Sequence, residues 1–366
     1  MNTSEFDYNL PKELIAQKPI EPRELSRMLV VDRSTRKFTE ARARDIITLL
    51  KPGDVLVRNV SRVFNARLRG WKKVEEARDR KGGGDCEVLV TKFLHEIPGG
   101  EVSLPRSQWE VLIKPGKKFH EGDDIYFGNL NVDSFGGGVS ATVMKKHEDG
   151  VVEVQFNVEK QFVFDLCEAF GEVPVPPYVE KVPDNLEDYQ NVYARELGSA
   201  AAPTAGFHFS ENLLALCESH GIQFADVVLD VGIGTFRPMK GDAVEEHEMH
   251  AERVSIDQEN IEKILQAHVN GNRVIAVGTT TVRVLEGVYQ KMGALVPYEG
   301  DVNLFIKPGF EFKVIDGLMT NFHLPKSTLL VLVSAFGGQE LIKMAYDFAV
   351  KEKYRFYSFG DAMLIL

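Results

Sequence analysis

Cysteine is scarce: the 366-residue chain has three, Cys86, Cys167 and Cys217. Their odd number and wide spacing exclude a disulfide framework and a cysteine-based zinc site, and they fit a reducing cytosol. Long apolar runs are missing as well. The longest, around Leu329 to Phe336, falls far short of the roughly 20 residues that cross a bilayer, so no membrane partner is expected. Residues 1–10 are polar and lack the apolar stretch of a signal peptide, which points to a cytoplasmic protein. There is no Walker A sequence, no Gly-x-Ser-x-Gly and no dinucleotide fingerprint, so phosphoryl transfer from ATP and serine-hydrolase chemistry are disfavoured. Positive charge is in short supply overall, with 43 Lys and Arg against 54 Asp and Glu and a net charge of −11. That argues against nucleic acid until the distribution is read.

Residues 1–81 carry 19 basic and 12 acidic side chains, whereas residues 82–366 carry 24 and 42. Such segregation raises the question of a polyanion at one end; an uneven solvated surface is the plain alternative. Hydrophobic residues make up 44% and charged ones 27%, an ordinary globular balance that supplies a large core. A chain of this length is expected to form two or three domains.

Three regions differ in character. Residues 1–58 read as mixed: a short helix over Pro11–Gln17, a strand over Met28–Asp32, a helix over Ala43–Leu50 and a strand over Val55–Arg58, with Lys51-Pro52-Gly53-Asp54 as a turn. Residues 59–158 show short alternating runs between Gly-rich breaks. In the clearest, Val152, Val154, Phe156 and Val158 alternate with polar residues. Regular short strands without helices predict a small barrel or sandwich. In residues 159–366, helices alternate with strands: helices Phe162–Phe170, Gln258–Val269, Thr328–Phe336 and Gln339–Lys351, and strands Phe224–Val231, Val274–Val277 and Ala362–Leu366. The expected architecture is α/β: a mixed-sheet domain built from residues 1–58 and 159–366, with a small β-barrel domain, 59–158, inserted.

Five segments carry residues suited to chemistry. Ala201–Phe209 places His208 between two phenylalanines after a Pro-Thr-Ala-Gly turn and before a helix capped by Ser210, with Leu213, Leu214 and Leu216 as its apolar face and Gly221 as its stop. A titratable group at such a junction suits catalysis; a core histidine satisfied by one carbonyl is the alternative. Val227–Thr235 is similar to the first motif of class I methyltransferases, but Pro238 follows too soon for the helix that fold needs. Glu245–His250 holds two histidines and three carboxylates, with Asp242 and Glu245 as a capping box. His247 and His250 would share a face if the segment is helical. No third ligand lies nearby, so no metal is expected, and an exposed acidic helix end competes with acid–base work. Val274–Arg283 joins a buried strand to a helix through glycine and three threonines, which suits a carboxylate or phosphate as well as a plain turn. Thr320–Thr328 repeats the first theme around His323.

Ala201–Phe209, Gly234–Pro238, Glu246-His247-x-Met249-His250, Val274–Arg283 and Phe305–Phe336, together with Leu14–Gln17, Glu21-Pro22-Arg23, Tyr193–Glu196 and the tail Tyr354–Leu366, resemble the S-adenosylmethionine:tRNA ribosyltransferase-isomerase family of queuosine biosynthesis, in order along nearly the whole chain. The resemblance implies an α/β domain with an inserted β-barrel. It also implies transfer and isomerisation of the ribosyl part of S-adenosylmethionine onto 7-aminomethyl-7-deazaguanine at the tRNA wobble position, giving epoxyqueuosine, adenine and methionine. S-adenosylmethionine is then a consumed substrate, no cofactor is called for, and tRNA carrying the precursor base is the partner of a monomeric protein. The donor's sulfonium acidifies its 5′ carbon, the departing adenine needs a proton, and the attacking amine must be neutral. This calls for acids and bases with pKa near neutrality.

His208, His247, His250 and His323 are the catalytic candidates, expected to converge on one pocket, with Glu246 as a partner. Arg195 and Thr279, Thr280 and Thr281 suit the methionine carboxylate. Thr204, Gly206, Gly234, Thr235, Arg237, Arg283 and Asn321 complete the expected substrate contacts, and Arg23, Arg58, Arg62, Arg67 and Arg69 the tRNA contacts. The chain departs from the family pattern at Val60, where an acid is usual, at Asp230, where histidine is usual, and at Lys307, where tyrosine is usual. An S-adenosylmethionine-dependent RNA methyltransferase and a non-catalytic tRNA-binding protein are the competing functions.

Overall fold

A computed structural model describes the chain except residues 73–83, 101–103, 128–137, 177, 181–185, 233–238, 240, 248 and 250. The first segment gives β1 (Arg27–Asp32), β2 (Lys37–Arg42), α1 (Ile46–Leu49), β3 (Val55–Asn59) and β4 (Ser61–Val63). Six strands follow: β5 (Arg67–Lys72), β6 (Asp85–Ile97), β7 (Arg106–Lys114), β8 (Asp124–Phe127), β9 (Val139–Lys146) and β10 (Val151–Phe156). Next come α2 (Lys160–Phe170), β11 (Glu196–Ser199), α3 (Glu211–Ser219), β12 (Gln223–Leu229), β13 (Glu252–Ile256), α4 (Gln258–Val269) and β14 (Val274–Val277). The chain ends with α5 (Thr279–Met292), β15 (Tyr298–Val302), β16 (Gly317–Asn321), α6 (Thr328–Gly337), α7 (Gln339–Lys351) and β17 (Ala362–Ile365).

Nine strands form one mixed sheet in the order β15-β13-β12-β3-β14-β16-β17-β1-β2. At its centre β12, β3, β14 and β16 run parallel. All four residues of β14 are buried, as befits a parallel strand covered on both faces, whereas the edge strand β2 buries none of its six. The strands β10-β7-β6-β5-β8-β9 close into a barrel, which leaves no open edge. Val152, Val154 and Phe156 point inward as their alternation predicts. Helix α2 plugs the barrel with Phe164, whose ring lies 5.4 Å from Trp109 and 5.0 Å from Phe64. The α/β class with its inserted barrel is therefore as expected.

Three local expectations fail, each because a distant partner or the helix phase decides. Pro11–Gln17 makes only a 3-10 turn, Lys12–Leu14, since Ala16 N–H and Leu14 C=O bond to Phe356 instead. The Ser210 cap forms, and Gly221 takes φ +77° at the stop, but α3 turns Leu213 and Cys217 inward and leaves Leu216 exposed. Between Asp242 and His247 there is a single 3-10 turn, Val244–Glu246, with Ala243 at its start. No capping box forms, because both Glu245 carboxylate oxygens accept from the Met1 ammonium at 2.9 Å.

Candidate active site

The carboxyl ends of three of the parallel strands, β12, β14 and β16, border a small cavity of about 50 Å³, at the edge where ligands bind in open α/β sheets. Two helices start there. Gly278, at φ +91°, turns the chain from β14 into α5, a conformation that favours glycine. Ser327 caps α6, its hydroxyl accepting from Leu330 N–H. Two helix N-termini converging on one space favour an anionic group. Thr279 and Thr280 line it, and the Thr280 hydroxyl is buried without a hydrogen-bond partner among the described residues. The Thr281 hydroxyl turns back to Val277 C=O at 2.8 Å and is spent on the helix.

His323 and Asn321 enter from the end of β16. His323 Nε2 shares a 2.8 Å hydrogen bond with the Thr320 hydroxyl, and its Nδ1 has no hydrogen-bond partner among the described residues. Tyr8 and Tyr346 hydroxyls fix its backbone from either side. Burial lowers its pKa to about 3, so the ring is neutral at pH 7. Asn321 receives the Thr204 hydroxyl on Oδ1 and donates from Nδ2 to Tyr357 C=O and to His208 Nε2, at 3.1 and 3.2 Å. That donation makes Nε2 of His208 an acceptor, so its Nδ1–H donates to Ser26 Oγ at 2.7 Å. His208 is 3% exposed, and burial, then Arg355, lowers its pKa to about 4. It stands behind the cavity wall and reaches the cavity only through Asn321. Gly206 is packed so closely that a Cβ would lie 2.1 Å from the Tyr193 hydroxyl.

The other expected residues lie elsewhere. His247 packs edge-on against Phe305 at 5.8 Å and is not among the described lining residues; Glu246 is exposed. Arg283 is buried and paired with Glu252 at 2.5 Å, with Nε and Nη2 unsatisfied among the described residues. Gly234, Thr235, Arg237 and His250 lie outside the described residues. Among the described residues, no three His, Cys, Asp or Glu side chains gather as metal ligands. Tyr178 and Tyr357, with rings 4.7 Å apart, form an aromatic wall that the sequence reading missed. The one available signal was the tail motif around Tyr357, which takes a strained φ of +70°.

Arg195 faces a second, larger cavity of about 360 Å³ between α2, β11, β12 and β13. It bonds Asp226 at 2.8 Å, which Arg58 also holds at 2.7 Å. Burial works against the charge of Asp226, and the two arginines outweigh it and lower its pKa. Arg253 pairs with Glu299, and Asp257 caps α4. Glu196 lies 3.8 Å from Arg195, and Lys160 and Asp230 complete the charged lining. Burial pushes the Asp230 carboxyl up to about 6, although Arg253 and Lys160 pull it down. Burial, then Arg253, lowers the Lys160 pKa. Asp230 lines this cavity and its neighbour Val231 the first, so the two spaces share a wall.

The five arginines expected to meet tRNA are each tied to acceptors within the chain. Arg23 donates to Gln190 C=O at 2.7 Å, Arg58 to Asp226, Arg62 to Glu187, and Arg69 to Glu172 at 3.3 Å; Arg67 lies 3.6 Å from Glu87.

Two cavities sharing a wall, one with an anion cradle and a neutral imidazole and the other lined with charge, make a site suited to a two-substrate transferase. The chain belongs to the family described as queuosine biosynthesis protein, which it matches over residues 3–365. It is 45% identical over 366 residues to the S-adenosylmethionine:tRNA ribosyltransferase-isomerase of Thermosipho melanesiensis, covering 100% of both chains. It is 46% identical over 365 residues to the protein of the same name from Acetivibrio thermocellus, again covering 100% of both. The crystal structure of S-adenosylmethionine tRNA ribosyltransferase from Thermotoga maritima is 36% identical, with a TM-score of 0.55 over 99% of this chain and 100% of that one.

Proposed function

We propose that this protein is an S-adenosylmethionine:tRNA ribosyltransferase-isomerase, acting on tRNA that carries 7-aminomethyl-7-deazaguanine. Full-length identity to relatives of that name carries the reading, and the lining of the first cavity suits the charged end of the donor. The methionine carboxylate fits the N-terminus of α5, where Thr280 offers an unused hydroxyl. The tyrosine pair offers π-faces to the sulfonium or the adenine. His323 Nδ1 is the group we assign to proton transfer, at the acidified 5′ carbon or at departing adenine. His208 is a positioning residue that holds Asn321. S-adenosylmethionine is consumed, so no cofactor is invoked.

The protein is taken as a monomer, and its three free, buried cysteines fit a cytosolic setting. Size-exclusion chromatography with light scattering checks the monomer. Incubation with S-adenosylmethionine and precursor-bearing tRNA should release adenine and methionine and raise the nucleoside mass accordingly. Release of S-adenosylhomocysteine would instead identify a methyltransferase, and salt-sensitive binding with no mass change a plain tRNA-binding protein. His323→Ala should lower kcat by about a hundredfold or more in folded protein.

A further inference from the structure

The second cavity is strongly charged, and most of that charge is used up. Arg195 is held by Asp226, Arg253 by Glu299, and Asp257 by the start of α4. Two groups remain. Neither the Asp230 carboxylate nor the Lys160 ammonium has a hydrogen bond or an ion pair among the described residues. Lys160 Nζ instead rests 4.7 Å from the centre of the Phe93 ring, and each group lies within electrostatic reach of the other. Asp230 is seated against Gly198, where a Cβ would lie 2.6 Å from Oδ1, so the missing side chain there makes room for the carboxylate.

The sign of the lining decides what fits. Five carboxylates face three cations, which repels a phosphate and suits a ligand rich in N–H donors or itself cationic. Val60, Val228 and Val254 add apolar surface for a flat ring. Building on the reading above, we propose that the second cavity seats the acceptor nucleobase, with Asp230 and Lys160 reading its guanine-type edge. A carboxylate accepts two parallel bonds from ring N1–H and the exocyclic 2-amino group, and an ammonium donates to O6. The aminomethyl substituent adds the positive charge that the remaining acids favour. Because Val231, next in the chain, lines the donor cavity, a base held by Asp230 lies beside the donor site. Val60 and Asp230, two of the positions where the chain departs from its family's usual residues, face this same space.

The test is binding without turnover. An anticodon stem-loop carrying 7-aminomethyl-7-deazaguanine, and its analogue lacking the 2-amino group, are titrated against wild type, Asp230→Asn and Lys160→Met with no S-adenosylmethionine present. Wild type should bind the analogue about tenfold more weakly, and Asp230→Asn should bind both RNAs alike. Lys160→Met, which keeps the stem over Phe93, should weaken both RNAs while preserving the preference for the 2-amino group. The Michaelis constant for S-adenosylmethionine should stay within about twofold in both variants. An undiminished 2-amino preference in Asp230→Asn overturns the proposal, as does a loss confined to S-adenosylmethionine. Failure of the functional reading would show separately, as a wild type that releases no adenine from donor and modified tRNA.

Discussion

Three titratable residues near the cavities have ordinary neighbours and unusual states. Asp230 ionises near pH 6 rather than at its usual 3.8, because the fold disfavours the charged form. The destabilisation is complete above about pH 6 and disappears as the pH falls through the ordinary value. Asp230→Asn should thus stabilise the protein by about 1–2 kcal/mol at pH 7.5, with a smaller gain at pH 5, in urea melts. A gain in stability beside a loss of RNA binding marks a group kept for function. His208 and His323 act in the opposite direction. Between pH 6.5 and about 4 the unfolded chain takes up protons that the folded imidazoles refuse, so acidification destabilises. His208→Gln should flatten that slope when urea midpoints at pH 5 and 7 are compared. His323, Asn321 and Thr280 were legible in the sequence because each lies in a short motif at a strand-to-helix junction. The Asp230–Lys160 pair was not, since 70 residues of unrelated pattern separate its members and only the fold makes them face each other.

Among elements, those whose signals are local came out as read. α4, β14 and α7 have the bounds that periodicity and capping residues set. The helices expected at Pro11 and at Asp242 failed where Phe356 and the Met1 ammonium outbid local propensity. The turn before β3 shows the same long reach working in favour of the fold. Asp54 is 1% exposed and accepts from Lys51 N–H, Arg273 N–H and the Arg273 guanidinium, at 2.9, 2.9 and 2.6 Å. Asp54→Ala leaves that partly buried guanidinium unpaired and should cost about 3 kcal/mol in a denaturation experiment. At the site itself, Gly278→Ala meets a φ of +91° and should cost about 1–2 kcal/mol. It should also raise the Michaelis constant for S-adenosylmethionine by shifting the start of α5.

For the molecule as a whole, an α/β domain with a barrel was legible because alternation and Gly-rich breaks mark the insertion. Strand order was not, since nothing local announces which strand lies beside which. Whole-molecule charge bears on RNA. Arg62 and Arg69 are 34% and 63% exposed; Arg62 pairs with exposed Glu187, and Arg69 with exposed Glu172 and more loosely with Glu87 at 3.6 Å, so either side chain can swing to a phosphate at little cost. Arg62→Ala with Arg69→Ala should lower the slope of log affinity against log salt by about 2 for tRNA.

Strand β17 is the last in sequence, yet it lies third from one side of the sheet, parallel to β1 and antiparallel to β16. During synthesis, β1 and β2 must therefore wait, made but unmoored, until more than 300 further residues have left the ribosome. A stop codon before Ala362 would remove β17 and split the sheet in two.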